Sequence, residues 1–130
     1  MLEFTDNVVG KVIVEIDITE NDIENIIVTS FEGGSNYWMG LDNSRSEWKD
    51  RPEDEPHSTW ATKLLLDGKS VFVYDIEDDK EEYELTLEKI LNGIRQNAKE
   101  RPFDSDLEKG DATTSDCIVQ YALFGEVVYG

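Results

Sequence analysis

Residues 70–86, SVFVYDIEDDKEEYELT, constrain the fold more than any other stretch. Two runs rich in β-branched and aromatic residues, SVFVYDI and YELTL, flank the polar EDDKEE. That pattern reads as a β-hairpin with an acidic tip. A hairpin brings an antiparallel pair, and one face of that pair must be covered by something else in the chain. Alternation places Phe72, Tyr74, Ile76, Tyr83 and Leu85 on the covered side. Asp75, Glu77 and Asp79 on one arm, with Glu82 and Glu84 on the other, are expected to face solvent.

The rest of the chain supplies candidate covering elements. GKVIVEIDI, Gly10 to Ile18, alternates Val12, Val14, Ile16 and Ile18 with Lys11, Glu15 and Asp17. It predicts a half-buried strand. Thr19 with Asp22 three residues on starts a helix through a capping-box pattern. Ile23, Ile26, Ile27 and Phe31 form its stripe, and Gly33 or Gly34 is expected to end it as a left-handed cap. STWATKLLLD reads as a short helix or strand closed by Gly68. Thr86 caps a further helix with Leu87, Ile90, Leu91 and Ile94 on its apolar side, ended by Pro102. Ser115 or Asp116 is expected to cap a last, buried helix, CIVQYALFG. The expectation is one α+β domain over residues 1–130: a small antiparallel or mixed sheet containing the acidic hairpin, packed by three to four helices. Residues 35–57 form a long loop with a candidate strand near Asn36 to Leu41, and are the candidate mobile part of the chain.

Net charge is −18 over 130 residues, which opposes compaction and so asks for a use. It disfavours direct contact with nucleic-acid phosphates and with anionic membranes. It favours a basic partner, a cation or a saline setting. One cysteine, Cys117, leaves no internal disulfide and fits a reducing compartment. MLEFTDN has neither a basic leader nor a long apolar run, so no signal peptide or membrane span is expected and the cytoplasm is the expected location.

Catalytic and metal chemistry find little footing. His57 and Cys117 are each the sole residue of their type, and nothing local marks a nucleophile–base pair. Zinc sites draw on several Cys and His ligands. DSDLEKGDATTS begins like a calcium loop, but its glycine comes one position late and Ser115 stands where a bidentate Glu belongs. Gly33 and Gly34 follow a helix, whereas phosphate loops precede one. No cofactor, no metal and no enzymatic activity are expected.

Two binding readings remain. From Asp75 to Glu88 the chain carries eight acids against one lysine: Asp75, Glu77, Asp78, Asp79, Glu81, Glu82, Glu84 and Glu88. Strand residues two apart are separated by roughly 6.7 Å, close to the spacing, of order 6–7 Å, of successive phosphates on a DNA strand. Glu47, Asp50, Glu53, Asp54 and Glu55 add to this surface, with Trp48 as a candidate exposed anchor. The other reading is a small-ligand site at Asn36, Tyr37 and Trp38. Against it stands the habit of such aromatics to fold back as core anchors.

FEGGSNYW and, far downstream, DCIVQYALFGEVVYG, together with YDIEDDKEEYELTLEKILNGI, resemble a group of small acidic proteins encoded by phages and mobile elements of bacteria. The resemblance spans most of the chain and brings no catalytic residues with it. It implies a bacterial host cytoplasm. It also suggests a nucleic-acid mimic that blocks a host defence nuclease, of anti-CRISPR or anti-restriction type. The expected partner is then a basic host protein.

Overall fold

The computed structural model describes residues 3–130. Four helices and a three-stranded antiparallel sheet make an α+β fold. In chain order the elements are α1 (Glu20–Thr29), β1 (Met39–Asp42), α2 (His57–Leu66), β2 (Val71–Asp75), β3 (Asp78–Leu85), α3 (Leu87–Glu100) and α4 (Ala112–Phe124). The strand order is β1-β2-β3.

Local chemistry sets most boundaries. Thr19 and Asp22 exchange reciprocal side-chain bonds at the start of α1, as the sequence predicts. Thr86 Oγ1 accepts from Lys89 N at the start of α3. The cap of α4 is Asp111, paired reciprocally with Thr114. Ser115 and Asp116, expected as caps, therefore lie inside the helix and are buried.

Ser30–Gly34 continues α1 as one wide turn. Gly33 has φ 174°, so neither glycine supplies the expected left-handed cap. Gly34 answers a different need: a Cβ there would stand 2.8 Å from the Ala112 carbonyl oxygen. The turn thus presses against the N-terminus of α4. Gly93 does the same between α3 and α4, where a Cβ would meet Ile118 O at 2.4 Å.

The core joins Ile23, Ile26 and Ile27 of α1, Leu64 and Leu65 of α2, Ile90 of α3 and Ile118 and Val119 of α4 to one sheet face. The register fixes that face. Val71 pairs with Leu85 and Val73 with Tyr83, and Leu41 pairs with Val73; residues directly opposite share a side. Phe72 and Tyr74 therefore point outward with their partners Glu84 and Glu82, the reverse of the expected facing. The outer face is covered from within the chain: the Tyr74 ring lies over Gly40, and the Arg45 guanidinium sits 3.4 Å from the Phe72 ring centroid.

Two further expectations change. Most of the predicted polar turn EDDKEE is strand, because the chain reverses at Ile76 and Glu77. Gly10 to Ile18 forms no strand. Val12, Ile13, Val14 and Ile16 are exposed, and only Ile18 reaches the core. Alternation marks what a segment is able to bury, but a strand also needs an edge to pair with.

Candidate functional site

The acidic hairpin is less regular than a simple ladder. Pairing runs from Val71–Leu85 to Tyr74–Glu82 and then jumps to Asp75–Asp78. Asp79, Lys80 and Glu81 lie in that irregularity. Asp75 turns to the core side, where it accepts from Tyr129 Oη (2.5 Å) and from Glu77 N (2.8 Å). The Tyr129 bond, then the Glu77 amide, hold its carboxyl below the usual range. The straight row Asp75–Glu77–Asp79 expected from alternation is therefore not formed. Glu77, Asp78, Asp79 and Glu81 instead crowd the exposed tip, while Glu82 and Glu84 stand two apart on the outer face.

Arg45 ties this face to the loop before α2. Its Nη2 donates to Glu82 Oε1 (2.8 Å), and its Nε lies 3.6 Å from Asp42 Oδ2. The Glu82 bond is the main cause raising the guanidinium's proton affinity, with Asp42 and Glu47 adding to it. Asp42 and Glu82 thus share one cation, which joins the outer face of the hairpin to the chain just before Glu47. Nothing local in the sequence marks the Arg45–Glu82 link, whose partners are 37 residues apart.

The loop itself is built around inward groups. Arg51 Nη1 donates to the carbonyls of Pro52 (3.1 Å), Glu53 (3.4 Å) and Glu55 (2.5 Å). Asp50, Glu53 and Asp54 are left exposed. Glu55 is turned in, paired with Lys63, and its Oε2 is buried without a partner. Trp48, expected to be exposed, is 8% exposed and stacks on His57 at 5.8 Å.

Asn36, Tyr37 and Trp38 part company. Trp38 is 2% exposed and stacks on Tyr129 at 4.5 Å, nearly parallel. Its Nε1 donates to Asp116 Oδ1 (2.9 Å), as does Ser35 Oγ (2.8 Å). Tyr37 Oη donates to Asp116 Oδ2 (2.6 Å), and Gln120 Nε2 to the same oxygen (3.0 Å). The Tyr37 ring is 53% exposed, but its hydroxyl end is inside. Burial of that end, then the Asp116 carboxylate, push its pKa from 10.0 to about 12. Gln120 Oε1 also accepts from Val128 N and Tyr129 N, both at 2.8 Å, pinning the C-terminal residues. The two phrases FEGGSNYW and DCIVQYALFGEVVYG therefore meet in one buried polar network.

Asn36 alone of the three lines a cleft, of about 320 Å³. Phe31, Met39 and Leu41 give this cleft an apolar side, and Glu32 and His57 a polar one. Glu32 Oε1 accepts from Ser58 Oγ (2.8 Å), and His57 Nε2 contacts Asn43 Nδ2 (3.1 Å). Cys117 lies in α4, where burial raises its thiol pKa. Arg45, Arg51, Arg95 and Arg101 each hold separate partners and do not converge on an anion site. Among the described residues no three His, Cys, Asp or Glu side chains converge as metal ligands, and no helix is long and apolar enough to cross a membrane.

No protein-family model, no curated protein and no solved structure matches this chain.

Proposed function

We propose that the protein is a non-enzymatic acidic accessory protein of phage or mobile-element type. In this reading its hairpin and the adjoining loop occupy a basic nucleic-acid groove of a host nuclease, as in anti-CRISPR or anti-restriction inhibition. The observation that carries the reading is the Arg45 bridge to Asp42 and Glu82, which fixes the outer face of the acidic hairpin beside the start of the acidic loop. From Asp75 to Glu84 seven acids face one lysine, and at the loop Arg51 is spent on backbone carbonyls and Lys63 on Glu55, leaving exposed Lys49 against exposed Asp50, Glu53 and Asp54. A one-signed field of this kind speeds encounter with a basic surface and makes binding sensitive to salt. The irregular tip favours recognition of a basic groove by charge density over imitation of evenly spaced phosphates. A small-ligand role at Asn36, Tyr37 and Trp38 has less support, since Trp38 is sealed and the Tyr37 hydroxyl is engaged.

The test is inhibition of purified restriction and RNA-guided nucleases by the chain across a salt series. The control variant replaces Glu77 and Asp79 with Gln and Asn, and Glu82 and Glu84 with Gln. Inhibition that weakens with salt and disappears in the variant supports the reading. No inhibition, or equal inhibition by the variant, refutes it.

A further inference from the structure

We infer that the N-terminal segment Lys11–Ile18 of one copy adds as a strand to the β1 edge of a second copy, with its apolar side over the Phe31–Met39–Leu41 cleft. Three independent features meet in this arrangement.

The first is the segment. Val8, Val9, Val12, Ile13, Val14 and Ile16 are 71–102% exposed, yet from Val12 to Ile18 every second residue is β-branched and apolar. Such a pattern stabilises a chain only when one face is covered and the backbone is paired. It carries one lysine and two acids between residues 11 and 18, far milder than the body it leaves.

The second is the edge. Trp38 O accepts from Ile76 N (2.9 Å), so residues 38, 40 and 42 turn their polar groups toward β2. Met39 and Leu41 turn theirs outward. Ser35 O takes the Met39 N–H (2.9 Å), which leaves the Met39 carbonyl and both Leu41 groups facing away from the sheet. The opposite edge, β3, bears Asp78, Asp79, Glu81, Glu82 and Glu84, and like charges across strands would repel Glu15 and Asp17 there.

The third is the cleft, about 320 Å³, beside that edge. Met39 and Leu41 share the core-side face of β1, so an added strand would send alternate side chains over it. Val12, Val14 and Ile16 have the required spacing.

Tether length assigns the segment to a second copy. Ile18 is anchored beside the start of α1, while Phe31 and Glu32, on the cleft, follow its end. That separation is about 18 Å along the helix. Fully extended, Ile16 reaches about 7 Å from Ile18 and Val14 about 13 Å. Val12 alone, at about 20 Å, is long enough, so Val12, Val14 and Ile16 cannot lie together over their own cleft, whereas the cleft of another copy imposes no such limit. Reciprocal exchange about a two-fold axis closes the assembly as a dimer.

The experiment is light-scattering mass after gel filtration, on the full chain and two variants with circular dichroism as a fold control. Val14→Asp disables the segment; Asn36→Trp plugs the cleft; both positions are exposed, so neither substitution touches the core. The expected result is twice the 14.9 kDa chain mass for the parent and the single mass for each variant. An equimolar mixture of the variants regains a mixed dimer, because one copy retains the segment and the other the cleft. A monomeric parent overturns the inference. So does a dimer that survives Asn36→Trp, since the segment would then be pairing elsewhere.

Discussion

Removing the Asp116 side chain is the sharpest test of what holds this fold together. Its two oxygens accept from Ser35, Trp38, Tyr37 and Gln120. In Asp116→Ala those donors have unequal escapes. Ser35 keeps Ser30 Oγ at 2.5 Å, and Gln120 keeps the Tyr129 carbonyl at 3.2 Å. Tyr37 can turn its hydroxyl to water. Trp38 Nε1, on a side chain 2% exposed, has nothing. One orphaned buried donor plus the loss of charge-assisted bonds comes to about 3–4 kcal/mol. Against a total of about 5–15 kcal/mol that is a large fraction, and it should lower Tm by about 10–15 °C. Asp116→Asn keeps an oxygen for Ser35 and Trp38 and should cost less, about 2 kcal/mol. The mechanism is checked by a cycle with Trp38→Phe, read by urea denaturation. Phe removes the donor that Ala at 116 would orphan, so the double variant should be less destabilised than the sum by about 1–2 kcal/mol. A loss below about 1 kcal/mol for Asp116→Ala, or strict additivity, would refute the reasoning.

Gly93→Ala should cost about 2–3 kcal/mol in chemical denaturation, because its Cβ would strike Ile118 O at 2.4 Å and force α3 and α4 apart. Raising pH should weaken the fold from the alkaline side. Tyr37 titrates near 12 when folded against 10.0 when free, so its contribution is intact below pH 10.0 and is lost as pH climbs toward about 12. A tyrosinate absorbance titration beside thermal melts checks the sign. Tyr129→Phe keeps the stack on Trp38 but loses the bond to Asp75, with an expected cost of about 1–2 kcal/mol and faster hydrogen exchange at the Val128 and Tyr129 amides. The variant with Glu77, Asp79, Glu82 and Glu84 neutralised should melt no lower than the parent at low salt, since self-repulsion falls; a clear drop would mean the acids hold the fold.

Signals that act within a few residues were legible. Thr19 with Asp22, and Thr86, cap helices because their partners lie three residues away. The facing of the hairpin was not legible, because VFVY is apolar on both sides of the alternation. Which side goes in is decided by distant cover: Phe124 meets the Tyr83 ring at 4.9 Å, while Arg45 caps Phe72. Asp116 looked like a cap because an acid stood before an apolar run. Its burial depends on Ser35, Tyr37 and Trp38, some eighty positions upstream, which no local window contains. Of the candidate site, the exposed acids were readable as charge, but Asp75 and Glu55 turned inward because tertiary partners, Tyr129 and Lys63, claimed them.

The placement of polar groups separates stability from surface charge. The network around Asp116 lies between the turn after α1, α4 and the C-terminal residues, and draws on none of the exposed tip acids. Only Asp75 touches both, through Tyr129, and it is the one hairpin acid held on the core side. Exposed pairs such as Arg45–Glu82 contribute little to folding because water screens them. The acids at Glu77, Asp79 and Glu81 therefore owe their positions to the backbone of the hairpin, and Asp78 adds only a local bond from the Lys80 amide (3.2 Å). A surface that the fold does not need, yet displays on an ordered strand end, is free to be set by what it meets. Loss of partner binding on neutralising those acids can then be read as lost recognition, while loss on changing Asp116 would report unfolding.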